Sequence, residues 1–272
     1  MSALPNTYAH YRFGCDVRRR LNSDIQKIVS DNEELYNIGL QGPDILAFYN
    51  PLFKNRLKTL GSFEHSSPVR NLLEYAEKTI RNAKNPNPYL AYMYGVICHF
   101  ALDCYCHGYV NEKKATTGLG HNLMEAEFDR LLMLRDGHDP FKFRPADTIV
   151  YSCESAKTIS AVSPKVNERE VSKSIKNMRK WCNFYVAPTL FSRILIYTGL
   201  LVSGNFSGKN GMIIKKKRNR KCDSTNSALL RLYKDALPVA VKLISEYRDN
   251  VFCDKKYSEV CALPFSPQKP VV

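Results

Sequence analysis

The chain has 272 residues, with 40 Lys and Arg against 26 Asp and Glu, a formal charge of +14 and 44% hydrophobic residues. That hydrophobic share fits a globular protein with a sizeable core, and the positive surplus favours anionic partners: phospholipid surfaces, phosphorylated substrates or nucleic acid. Nine cysteines, an odd count without short regular spacing, argue against a disulfide scaffold. The opening "MSALPNTYAHYRFG" has no basic region followed by an apolar run, and no stretch reaches the roughly 18–20 apolar residues of a membrane span. These features lead to the expectation of a cytoplasmic protein, peripheral to membranes at most.

In chain order, helical periodicity dominates and strand signals are few. Val17, Leu21, Ile25, Ile28 and Val29 mark one helical face across residues 15–31. "GLQGPDILAFYN" holds a Gly-Pro-Asp turn entering a helix. "SSPVRNLLEYAEKTIRNA" predicts a helix with Ser67 as N-cap and Pro68 in its first position. "NPNPYLAYMYGVICHFALDCYCHGYV" predicts a long apolar helix, and "HNLMEAEFDRLLML" a shorter amphipathic one that stops at "RDGHDP". "NEREVSKSIKNMRKWCNFYV" and "TNSALLRLYKDALPVAVKLISEYRD" predict two more. Between them "LFSRILIYTGLLVSG" reads as a buried helix, interrupted by Arg193. The expectation is an all-α, single multi-helix domain over residues 1–272, with a Pro-rich tail at 262–272.

The chemistry concentrates in "CHFALDCYCHGYV". His99, Asp103 and His107 are four residues apart, so a helix stacks them on one face of an apolar segment. Buried polar groups need partners, and a metal satisfies all three. His121 and Glu125 repeat the four-residue spacing on the next helix. Asp44, His65 and His10 lie near the starts of other elements. A single His pair at this spacing is commonly an ordinary polar arrangement. Two such pairs on neighbouring helices, one around an intervening Asp, point to a metal site of His nitrogens and carboxylate oxygens. Of the three cysteines in the stretch, Cys98 and Cys104 point away from the column and Cys106 lies closer to it. The expected role of all three is as small buried apolar residues.

Four ordered motifs, "AHYRFG", "GLQGPDILAFYNP", "CHFALDCYCHGYV" and "HNLMEAEFD", resemble those of the zinc-dependent phospholipase C family. More distantly they are similar to the related zinc-dependent single-strand nucleases. The resemblance covers roughly residues 7–135. It implies a mostly helical domain with two to three Zn2+ ions. Asp44, His65, His99 and Asp103 would hold the first, His107, His121 and Glu125 the second, and His10 with a bridging Asp103 the third. It further implies phosphodiester hydrolysis in which Asp44 orients the attacking water, and phospholipid yields diacylglycerol and a phosphorylated head group. Two departures stand out: His107 follows Asp103 on the same helix, and nine residues precede His10, where secreted members use the terminal amine as a ligand. The rival expectations are a metal-dependent nuclease or nucleotidase on the same frame, and a non-catalytic metal-binding or membrane-associating homologue.

One segment differs in character. Residues 204–227 carry Lys215, Lys216, Lys217, Arg218, Arg220 and Lys221 between Gly, Ser and Asn. Mutual repulsion predicts an exposed loop. Docking on anionic lipid is the functional expectation, with Met212, Ile213 and Ile214 dipping into the interface.

Overall fold

The structure is a computed structural model that describes residues 7–202, 213–215, 217–253 and 256–271. It is all-α: among the described residues no strand occurs, only an isolated bridge between Pro68 and Pro264. The helices are α1 (Thr7–Arg18), α2 (Ser23–Asp31), α3 (Glu33–Gly39), α4 (Arg56–Ser66), α5 (Val69–Arg81), α6 (Asn87–Thr117), α7 (His121–Arg135), α8 (Cys153–Val162), α9 (Glu168–Val186), α10 (Leu190–Val202) and α11 (Asp223–Cys253). A 3-10 segment, Gly42–Phe48, links α3 to α4.

α6 is the axis of the fold. Its residues from Leu90 to Cys104 are buried on every side, because α3, α11, α1 and α5 all pack against it. The α3 crossing is the tightest. A Cβ on Gly39 would stand 2.2 Å from the Tyr92 carbonyl, and one on Gly95 2.3 Å from that of Tyr36, so only two glycines let these backbones meet. α6 ends at Gly118, whose positive φ closes the last turn as a left-handed cap. α5 buries Val69, Leu73, Ala76 and Ile80, one stripe at helical spacing.

Local chemistry moves several predicted boundaries. The 15–31 periodicity is split, because the Asn22 side chain accepts from Ile25 N at 2.9 Å and starts a new helix. The start of α5 falls at Val69, with Pro68 preceding it. Ser67 instead donates to the Phe63 carbonyl at the end of α4. The Gly-Pro-Asp turn leads into a 3-10 helix rather than an α-helix.

Three further expectations are corrected. First, α10 is not a buried helix: only Ile196 and Leu200 are buried, and Leu190, Phe191, Ile194, Leu195, Leu201 and Val202 are exposed. Second, the basic segment is not a loop as far as 227, because α11 begins at Asp223 and Arg220–Cys222 form a 3-10 turn. Residues 204–212 and Lys216 lie outside the described residues; Ile213, expected to dip into lipid, is buried. Third, the Pro-rich end is tied down as far as it is described. Phe265 is fully buried, Val69 N donates to Leu263 O, and the Lys269–Pro270 backbone seats against Gly108 of α6.

All nine cysteines are free. Among the described residues no single helix is long and apolar enough to cross a membrane.

Candidate metal centre

Five elements bring the candidate residues together. α1 supplies His10, the 3-10 segment Asp44, α4 His65, α6 His99, Asp103 and His107, and α7 His121 and Glu125. All eight fall into three groups whose ligand atoms lie within 4.8 Å of one another: Asp44, His65 and His99; His10, His99 and Asp103; His107, His121 and Glu125. No cysteine joins a group. Cys106 is buried beside the column, and Cys98 pairs with the Tyr36 hydroxyl at 3.3 Å. The sixth histidine, His138, stacks on Phe143 instead.

Asp103 is the hinge of the cluster. Its Oδ1 faces His10 Nε2 at 3.2 Å and His107 Nε2 at 3.7 Å, and its Oδ2 faces His99 Nε2 at 3.2 Å and His65 Nδ1 at 3.8 Å. One buried carboxylate thus reaches imidazoles of all three groups. Around it, both ring nitrogens of His10, His65 Nδ1, His99 Nε2 and Asp103 Oδ2 are buried without a hydrogen bond. Leaving that many polar atoms unsatisfied would be strongly unfavourable. Nitrogen lone pairs and carboxylate oxygens converging at these separations fit cations, and the His and carboxylate set fits zinc.

The second ring nitrogens and the supporting groups set the aim of each ligand. A carbonyl can only accept, so His99 Nδ1 donates to Leu40 O at 3.1 Å and presents Nε2 to the cluster. Gly42 lies against the same ring. Its φ is +49°, and a Cβ there would fall 2.4 Å from His99 Cδ2. Phe265 packs against both His65 and His99, and Ser266 N donates to the His65 carbonyl. Asp129 accepts from Ala9 N at 2.9 Å and Tyr8 N at 3.3 Å, fixing the start of α1 next to His10.

Sequence reasoning missed Leu40, Gly42, Phe265 and Asp129. Asp129 lies inside "HNLMEAEFD", four residues after Glu125, so its position was visible although its backbone partners were not. Phe265 has no local signal at all.

The electrostatics follow from burial and mutual charge. Burial works against ionisation of Asp103, yet His107, His99 and His10 outweigh it and hold the carboxyl well below the usual range. Asp44 and Glu125 are likewise lowered, against burial, by His65 and by His121 with His107 respectively. Burial opposes a charge on His107, but Asp103 and Glu125 raise its pKa to about 9. Asp129 behaves oppositely: burial raises it to about 7 in spite of its two backbone donors. The cluster is open on one part of its rim. Side chains of Asp44, His121 and His107 are 33%, 25% and 12% accessible, whereas those of His10, His99 and Asp103 are sealed.

A family model described as zinc dependent phospholipase C matches residues 9–181, a span that contains all eight residues of the cluster. The chain belongs to the zinc-dependent phospholipase C family. The family match extends beyond the four motifs, through α8 and most of α9. No curated protein and no solved structure matches the chain. Membership of this family accounts for an all-α frame whose buried polar residues meet in one place.

Proposed function

We propose that the protein is a zinc-dependent phosphodiester hydrolase that cleaves phospholipid into diacylglycerol and a phosphorylated head group. Asp103 carries the reading: its two oxygens face imidazoles from three elements, among buried nitrogens that a bound cation would satisfy. Asp44, His65, His99 and Asp103 form one ligand set, His107, His121 and Glu125 a second, and His10 with Asp103 a third. Zinc bound there supplies Lewis acidity and neutralises charge on a phosphodiester.

The chain's own residues supply the rest. His65 Nε2 lies 2.8 Å from Asp44 Oδ1 and holds that carboxylate at the accessible rim. Asp44, kept ionised at that rim, orients the attacking water by accepting a hydrogen bond from it. His121, also at the rim, is aimed by its contact with Glu125 Oε1 at 2.8 Å.

Elemental analysis of protein prepared without chelator, combined with turnover of phosphatidylcholine, phosphatidylinositol, a soluble chromogenic phosphodiester and single-stranded DNA, tests the proposal. At least two equivalents of zinc and release of diacylglycerol are expected. Faster cleavage of DNA than of lipid would make it a nuclease on the same frame. Bound metal with no turnover of any substrate would make it a non-catalytic homologue.

A further inference from the structure

α10 is an inverted surface helix. On a wheel of about 100° per residue, Leu190, Leu201, Ile194, Phe191, Val202 and Leu195 share an arc of about 140°, interrupted only by Thr198. Every one of these six is exposed, Phe191 at 77% and Val202 at 85%. The single charge, Arg193, is turned the other way: its Nε donates to Ala187 O at 3.0 Å, and its guanidinium lies 4.0 Å over the Phe141 ring. A surface helix of a soluble protein puts its polar face outward. Here the polar groups serve the attachment and the apolar face meets solvent.

The attachment itself is narrow and deliberate. The chain turns at Ala187, whose φ is +45°, and α10 leaves α9 at 113°. Thr189 and Ser192 cap the new helix reciprocally, each side chain accepting the other's backbone N–H. Ile196 and Leu200 anchor it to Tyr185, Ala187 and Ile213, a small cluster separate from the main core. Ile213 leads directly into the basic run, whose backbone is pinned by Arg130 to Lys215 O and by Glu127 to Asn219 N. The apolar face and the cationic run therefore belong to one assembly.

Charge identifies the occupant. Residues 171–222 contain twelve Lys and Arg and no Asp or Glu, so this stretch carries all but two units of the chain's +14. Pairing with a second copy through α10 would bring two such strongly cationic stretches together, at an electrostatic cost. An anionic bilayer offers the complement of both features: an apolar layer for the side chains and negative head groups for the lysines. α10 has 13 residues, about 20 Å, which is short of a bilayer core of about 30 Å. Continuing the span through α9 would pull Val171, Ile175 and Met178 out of the core.

We propose that α10 lies in the interface of anionic membranes and docks the protein there, together with the basic run behind Ile213. α10 begins after the end of the family match at residue 181, so the surface belongs to this chain's own C-terminal part. The inference adds a membrane surface to the hydrolase reading without depending on catalysis.

Vesicle co-sedimentation tests it, with phosphatidylcholine alone and with equal parts phosphatidylcholine and phosphatidylglycerol. Wild-type protein should bind the anionic vesicles at low salt. The double variant Phe191→Ser, Leu195→Ser should bind on the order of tenfold or more weakly. Lys217→Ser with Arg218→Ser and Lys221→Ser should lose anionic binding in proportion, an effect that fades at 1 M salt where the Debye length is about 3 Å. Both sets are exposed residues, and both variants should keep full turnover of a soluble phosphodiester; loss of that turnover in the wild type would count against the hydrolase reading alone. A Phe191→Trp variant gives a second measurement: its added fluorescence should shift blue and be quenched by brominated lipid. Vesicle binding unchanged by the Phe191 and Leu195 pair would overturn the proposal. So would a stable dimer in sedimentation that the same pair dissolves without any lipid binding.

Discussion

His99 donates its Nδ1 hydrogen to the Leu40 carbonyl across 3.1 Å, and this one bond decides what the other end of the ring can do. Nε2 is turned to the cluster, buried and without a hydrogen-bond partner, 3.2 Å from Asp103 Oδ2. Leu40 lies just past the end of α3, and α3 meets α6 through Gly39 and Gly95. Close helix packing thus places a backbone carbonyl where it fixes the tautomer of a ligand. The aim of the cluster is built into the fold before any ion arrives.

Gly42 guards that arrangement from the other side. Alanine at 42 would place a methyl group 2.4 Å from the His99 ring, at a φ that L-residues rarely adopt. Gly42→Ala should therefore tilt His99 and weaken zinc binding by about 10–100-fold, the effect typical of changes behind a ligand. Chelator competition measures the affinity, and helical circular dichroism should be retained. Wild-type affinity in this variant would show that the His99 aim tolerates displacement.

Asp103 and His121 should differ in how much metal their loss removes. His121 belongs to one group at the rim, whereas Asp103 faces imidazoles of all three. His121→Ala should lower bound zinc by about one equivalent and leave a partly loaded protein. Asp103→Asn should remove more, because the amide keeps an oxygen but neither the charge nor the bridging capacity of a carboxylate. Metal analysis of the two variants in parallel decides it; equal losses would mean the ions are held independently.

Chelation should loosen the protein without unfolding it. Five elements meet at the cluster, so occupied sites tie them together. The metal-free protein retains internal pairs, His65 with Asp44 and His121 with Glu125, and His107 is charged between Asp103 and Glu125. Zinc at a thousandfold excess over its Kd stabilises by about 4 kcal/mol per site, which for a chain of this size is on the order of 10 °C in Tm. Scanning calorimetry with and without EDTA should show that drop with helical content preserved.

The four-residue column on α6 was legible because helical spacing and apolar context are local properties, and the ligand elements all lie within a continuous span of the chain. What could not be read depended on contacts made across the fold. The His99 partner is a main-chain carbonyl, so Leu40 carries no side-chain mark. Phe265 reaches His65 and His99 from the far end of the sequence. The Val17 to Val29 stripe concealed a break because Asn22 caps a new helix without disturbing the periodicity. α10 misled for a clearer reason. Apolar residues around most of a helix predict burial, and nothing in composition distinguishes burial in protein from exposure on one face.

The final prediction concerns Asp136, which joins the end of α7 to α1 away from the metal cluster. Arg12 Nε donates to its Oδ2 at 2.6 Å and the Tyr8 hydroxyl at 2.7 Å. Burial raises the pKa of this carboxyl, but the Arg12 and Tyr8 bonds and the Arg12 charge lower it, and the lowering prevails. The folded pKa therefore lies below the unfolded value of about 3.9. Stability from this group is fully present above pH of about 4 and disappears as pH falls through the folded value. Asp136→Asn keeps an acceptor and loses the charge. Both partners are about a quarter exposed, so solvent screening limits the cost to about 1 kcal/mol at pH 7. Urea unfolding of chelated wild type and variant at pH 7, 5 and 3 removes the separate effect of metal release. The gap should stay level from pH 7 to 5 and narrow toward pH 3. A gap of constant size over the whole range would show that ionisation of Asp136 contributes nothing to holding α1 against α7.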